Sequence, residues 1–195
     1  MTTALLIVDV QNDFVTGTLP VPGGAEVAAG ITELLASHPD RYALVAASQA
    51  WHDPTGDNGG HFATASAPDF MLTWPRHCVA GEVGSAYHPA LDASLVDLHV
   101  RKGQGSAAYS MFEAVDASGA PLGQALAAAG VDAVDVTGLA TDYCVRATAL
   151  DARAAGLTVR LLTDLVAGVA ADSTSAALAE MSGAGVELAS SKEPR

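Results

Sequence analysis

The chain reads as one α/β domain over residues 1–195: a three-layer, doubly wound sheet of about six mainly parallel strands with helices on both faces. Two observations predict this. Its short apolar runs are continuous rather than alternating, as strands buried on both faces should be. Those runs also alternate with helical patterns punctuated by Pro and Gly, which is the order of a parallel sheet covered by helices. There is no internal repeat or low-complexity stretch, and 195 residues suffice for one substantial core but not for two ordinary domains.

Ala4 to Val8 is an unbroken apolar run that ends in Asp9, the expected first strand. A helix should follow Gly24, from Ala25 to Leu35, before Pro39, and Ala43 to Ala47 gives the second strand. Residues 48 to 90 are rich in Gly, Pro, His and Asp and carry no long regular element, and a loop of that length in a compact domain is usually functional. The third strand is expected over Leu95 to Val100, delivering Lys102. Pro121 and Gly130 frame a helix over Leu122 to Ala129, and Ala133 to Thr137 is the fourth strand. After the Gly138-Leu139-Ala140 turn, Thr141 is positioned to cap a helix reaching Ala155, with Gly156 ending it. Leu157 to Leu162 is the fifth strand, Asp172 or Ser173 is the expected cap of the last long helix, and Val186 to Ala189 is the sixth strand.

A net charge of −13 excludes a nucleic-acid-binding surface, which needs a basic face. No apolar run approaches the roughly 18 residues of a membrane span, and the N-terminus has no basic start or cleavage site of a secretory signal. Two cysteines at unrelated positions make no disulfide framework, so the expected setting is a reducing cytoplasm. The expected partner is a small molecule, with the chain a monomer or homo-oligomer.

In an open parallel sheet, ligands sit beyond the carboxyl ends of the strands. Asp9, Lys102 and the Thr141–Cys144 segment each follow a predicted strand directly, so a carboxylate, an amine and a thiol converge on one edge. Placed in the first turn of a helix, the Cys144 thiol should feel the positive end of the helix dipole, which favours thiolate. Free N–H groups there would also hold an oxyanion. Cys144 can equally be a small buried apolar residue, and Asp13 competes with Asp9 as the functional acid, with strand-end placement favouring Asp9.

Four stretches then match a family. DVQNDF at Asp9–Phe14, WPRHC at Trp74–Cys78, KG at Lys102–Gly103 and GLATDYCV at Gly138–Val145, in order along essentially the whole chain, together resemble the nicotinamidases of the isochorismatase-like superfamily. The resemblance implies a catalytic triad of Asp9, Lys102 and Cys144, and a cis peptide between Leu139 and Ala140 that turns the N–H groups of Ala140 and Cys144 towards an oxyanion. It implies hydrolysis of nicotinamide to nicotinate and ammonia through a cysteine thioester, with pyrazinamide as a further substrate. Phe14, Trp74 and Tyr109 match positions lining the substrate pocket, and Trp51, beside His52, is expected to join them.

The resemblance also implies a divalent metal (zinc, iron or manganese) on His52, His61 and His77, whose imidazoles suit such ions. The fourth expected ligand is an aspartate two residues before His52, where this chain has Ala50. Alanine cannot ligate. Either the site is one with an engineered ligand loss, or three histidines hold metal weakly with water or Asp57, or the enzyme works without metal. Sister families with the same triad hydrolyse acyclic amides such as N-carbamoylsarcosine, maleamate or ureidoacrylate without that metal, and they supply the alternative reading. A third is a non-catalytic protein that keeps the fold, which retention of all three triad residues opposes.

Overall fold

The computed structural model describes residues 1–194. One sheet of six parallel strands carries the domain, in the order β3-β2-β1-β4-β5-β6. The strands are β1 (Thr3–Val8), β2 (Leu44–Ala50), β3 (Leu98–Lys102), β4 (Ala133–Leu139), β5 (Thr158–Ala167) and β6 (Glu187–Ala189). The helices are α1 (Asn12–Val15), α2 (Gly24–Ser37), α3 (Leu122–Ala128), α4 (Arg146–Ala154) and α5 (Ala171–Gly183). The predicted fold class and strand order along the chain both hold.

The central strand shows why its sequence lacks alternation. Side chains of successive strand residues point to opposite faces. Ala4, Leu6 and Val8 pack into a core with Leu122, Leu126, Ala149, Ala152 and Met181 from α3, α4 and α5. Leu5 and Ile7 pack into a second core with Val27, Ala28, Ile31, Leu34 and Leu35 from α2. Both faces are covered, so every position from Ala4 to Val8 is apolar and buried.

Where the boundaries differ from expectation, polar residues are the cause. β2 runs three residues further than its apolar stretch because Ser48 and Gln49 are buried in the sheet and Ala50 still pairs with Lys102. β3 starts at Leu98, and Ala93–Leu95 is instead a 3-10 turn capped by the Asp92 side chain on the Ser94 N–H. β5 extends to Ala167 past an irregularity in its pairing with β4 between Val136 and Gly138. Between Ala50 and Leu98 there is no long helix or strand, as the loop-rich composition predicts. The single-turn helix α1 is too short to show as a period.

Two expected caps are not formed. Thr141 lies inside a π-helical turn, Thr141–Val145, rather than capping α4, which begins only at Arg146. α5 starts after Ala170 with no side-chain cap of its own. Ser173 Oγ instead donates to Asp142 at 2.6 Å and to the Ala170 carbonyl at 3.2 Å.

Polar chemistry is buried at both ends of the sheet. At the N-terminal end of the strands, Asp135 in β4 faces Arg160, its register partner in β5, in a two-pronged pair: Nε to Oδ1 at 3.1 Å and Nη2 to Oδ2 at 2.9 Å. Tyr42 Oη donates to Asp135 Oδ2 at 2.9 Å. At the other end, Gly138 adopts φ +105°, and a Cβ there would fall 2.2 Å from the Val8 carbonyl oxygen. Only glycine allows β4 to approach β1 so closely just before the Leu139–Ala140 peptide, which is cis as the resemblance implies.

Candidate active site

β1 and β4 are neighbours at the point where the chain reverses the direction in which it adds strands, so the crevice beyond their carboxyl ends is where ligands are held in such a fold. Three side chains meet there. Asp9 follows β1 with φ +47°, a conformation rare outside glycine, which turns its side chain inward at the strand end. Lys102 is the last residue of β3 and Cys144 lies in the turn after β4.

Lys102 Nζ stands 2.8 Å from Asp9 Oδ2 and 3.5 Å from Cys144 Sγ, and it donates to the Ala108 carbonyl at 3.3 Å. Asp9 and Lys102 are both buried. Asp9 Oδ1 accepts from Ser48 Oγ at 2.7 Å, which leaves Oδ2 to face the ammonium and the thiol. Asp13, the competing carboxylate, is spent on structure: it accepts from the Cys78 N–H at 2.7 Å and from Thr18. Cys78 is buried, with burial pushing its thiol pKa well up.

Electrostatics correct one expectation. Burial is the largest influence on Cys144 and pushes its thiol up to about 12, with Asp9 adding to the rise and Lys102 opposing it. The thiol is therefore neutral at rest, not a helix-stabilised thiolate. The cause is desolvation of the sulfur where it meets the cavity wall. Burial also works against the Lys102 ammonium, but Asp9 and Cys144 outweigh it and hold its pKa above the ordinary value.

Lys102 and Cys144 line a cavity of about 360 Å³, with Asp9 buried behind them. Phe14, Trp74 and Tyr109 line it as expected. Trp51 does not: its ring stacks under the Arg101 guanidinium at 3.7 Å, outside the lining, because β2 ends at Ala50 and the next side chain points away. In its place stand Phe70, Tyr143 and Val169, which sequence reasoning missed. Tyr143 could have been noticed as the neighbour of Cys144; Phe70 and Val169 carry no local signal. The aromatics form a rigid slot: Trp74 Nε1 donates to Tyr109 Oη at 3.1 Å, Trp74 meets Tyr143 edge-on at 5.1 Å, and Tyr109 stacks with Tyr143 at 6.5 Å. Asp142 fixes one wall by accepting from the Val169 N–H at 3.0 Å and the Ala170 N–H at 3.4 Å as well as from Ser173.

His52, His61 and His77 are buried on the far side of the same cavity, with one ring nitrogen of each lying within 4.8 Å of the others. Nδ1 of His52 bonds the Gly103 carbonyl at 2.9 Å and Nδ1 of His77 bonds the Pro75 carbonyl at 2.8 Å. Those bonds leave each Nε2 with a bare lone pair. Nδ1 of His61 is buried without a partner. Burial, then neighbouring imidazoles, pushes His52 down to about 4 and His61 to about 3, and burial lowers His77 too. Three neutral imidazoles converging on one point fit a divalent cation. Asp57 is exposed and does not belong to this group, so the expectation that it replaces the missing carboxylate fails: the loop turns it outward. Ala50, buried at 3% exposure, lines the cavity beside the histidines.

Comparison with known proteins gives concordant matches. The isochorismatase domain model matches residues 3–193. The nicotinamidase/pyrazinamidase of Mycobacterium tuberculosis is 50% identical over 186 residues, 95% of this chain and 97% of that protein. Among solved structures, PnC1 from L. infantum in complex with nicotinate superposes with a TM-score of 0.83 at 37% identity, over 97% of this chain and 93% of that one. The pyrazinamidase of Pyrococcus horikoshii in complex with zinc does so with a TM-score of 0.82 at 35% identity, over 97% and 99%.

Proposed function

Because the chain belongs to the isochorismatase family, we propose that its triad hydrolyses nicotinamide to nicotinate and ammonia, and pyrazinamide likewise, through a thioester on Cys144. The observation that carries this reading is the position of Lys102 Nζ, within reach of Asp9 Oδ2 and Cys144 Sγ at once at the mouth of an aromatic slot.

The amide ring lies between Phe14, Trp74 and Tyr109, whose faces suit a flat substrate. Cys144 starts as a thiol, so attack and proton loss go together: Asp9 Oδ2 takes the sulfur's proton as sulfur bonds to the amide carbon. The carbonyl oxygen becomes an oxyanion held by the backbone N–H groups of Ala140 and Cys144, both on the cavity wall. Asp9 returns its proton to the amide nitrogen, the C–N bond breaks, and ammonia leaves a thioester. A water then loses a proton to Asp9 and adds to the thioester carbon; the C–S bond breaks, Asp9 returns that proton to the sulfur to restore the thiol, and the product acid loses its own proton to solvent as the carboxylate. Throughout, Lys102 keeps the Asp9 charge compensated and stabilises sulfur as it becomes negative.

His52, His61 and His77 would hold a divalent cation, and an all-imidazole donor set suits zinc or iron better than manganese. Such an ion supplies a Lewis-acidic point that binds and orients the ring nitrogen of the substrate. No helix among the described residues is long and apolar enough to cross a membrane, both cysteines are free, and we place the enzyme in the cytoplasm.

Ammonia release from nicotinamide by the purified protein tests the reaction. Wild type should turn over, and Cys144→Ala should lose at least about 10³-fold with its fold intact. Near-full activity in that variant, or turnover of N-carbamoylsarcosine alone, would overturn the reading.

A further inference from the structure

Residue 50 shapes the cation site more than its size suggests. Gln11 grips its backbone from both sides, Oε1 accepting from the Ala50 N–H at 2.8 Å and Nε2 donating to the Ala50 carbonyl at 2.9 Å. The backbone of residue 50 is thus held in place by Gln11, and its methyl side chain offers no ligand. Its methyl group is held in the cavity wall alongside the three imidazoles. Among the described residues the cluster contains no carboxylate. Asp53 and Asp57 are exposed, and Asp9 is committed to Ser48 and Lys102.

A cation held by three neutral nitrogens keeps its whole double charge. Of the charged side chains around the cluster, Lys102 and Asp9 form a pair that neutralises itself, and Asp13 is bound to the Cys78 and Thr18 N–H groups, so none of them ligates the ion. An uncompensated charge in a buried cavity is costly, and a site with three nitrogen donors leaves a coordination position open. Both conditions are met by one kind of ligand: small, singly negative, and able to enter past an alanine methyl.

We propose that the His52–His61–His77 site binds its divalent cation together with a small carboxylate-type monoanion from solution, in the space that Ala50 leaves open. This rests on the cation reading of the cluster given above. The anion lies in the cavity that also receives the amide, so the two exclude each other.

The test loads metal-free protein with Co²⁺ and follows its visible ligand-field bands while sodium acetate is added, with sodium perchlorate at equal ionic strength as control. Acetate should shift the bands saturably and perchlorate should not, and His61→Ala should remove the Co²⁺ bands altogether. Ala50→Asp should bind Co²⁺ about 10–100-fold more tightly and give bands that no longer respond to acetate. The proposal is overturned if wild type binds no Co²⁺ at the cluster, if acetate leaves its bands unmoved, or if Ala50→Asp responds as wild type does. Should the aspartate variant fail to fold, the wild-type titration decides alone. Nicotinamide turnover by the same preparations separates the two readings. Hydrolysis without an acetate response removes the anion site only, whereas an acetate response without hydrolysis removes the reaction and leaves the anion site standing.

Discussion

Ser48 Oγ donates to Asp9 Oδ1 at 2.7 Å and at the same time accepts the Asp9 N–H at 3.2 Å, so one hydroxyl on β2 holds residue 9 by its carboxylate and by its backbone. That double grip fixes the rotamer in which Oδ2 faces Lys102 and the thiol. A hydrogen bond to a charged group contributes about 1.5 kcal/mol. Ser48→Ala should therefore lower kcat on the order of tenfold, with KM for nicotinamide little changed. Steady-state kinetics check this, and a change confined to KM would contradict it.

Asp9 and Lys102 are each buried and each is the other's counter-charge. Removing one strands the other, at a cost of about 3–5 kcal/mol. Asp9→Asn and Lys102→Met should each be strongly destabilised in urea melts and inactive. The double variant should be more stable than either single one, because no lone charge is left behind. Additive losses would show that the pair is not coupled.

The half-buried Cys144 thiol sets a pH dependence. With its pKa pushed up to about 12, Cys144 in the free enzyme is on the order of 10⁻⁴ thiolate at pH 8. Alkylation by iodoacetamide should be slow at neutral pH and should climb about tenfold per pH unit without levelling near 8.5, the ordinary thiol value. A plateau at or below that value in a rate-versus-pH profile would mean a preformed thiolate.

Asp142 holds Val169 against the cavity through bonds from the Val169 and Ala170 N–H groups and from Ser173 Oγ. Asp142→Ala orphans these donors and frees the wall. KM for nicotinamide should rise about tenfold, with a smaller change in kcat, alongside a destabilisation of about 2 kcal/mol. Calorimetry and kinetics together test it; loss of stability with KM unchanged would confine Asp142 to a structural role.

The readable part of this protein was whatever repeats or stands at the end of a run. Buried strands wrote themselves as unbroken apolar stretches, and Asp9, Lys102 and Cys144 could be picked out because each follows one. The histidines were visible as a residue type, but only the fold brings His61 and His77 to His52 across a loop with no period. Ser48 and Gln49 hid the end of β2 because buried polar residues look like turn residues until their partners are known. Trp51 and Thr141 misled for a related reason. One stacks on Arg101 and the other sits in a π-helical turn, and neither outcome follows from local propensity. Phe70 and Val169 reach the cavity through tertiary placement alone.

The ion pair between Asp135 and Arg160, far from the chemistry, bears on how the catalytic end is aligned. Strands paired only by aliphatic side chains could slide two residues and still bury oil against oil. Here such a slip would separate a buried carboxylate from a buried guanidinium, which makes the shifted pairing less stable than the native one. The pair thus works as a ratchet stop for β4 against β5. By fixing β4 lengthwise it determines where the strand lets go, and so how far along the sheet the sulfur of residue 144 comes to stand.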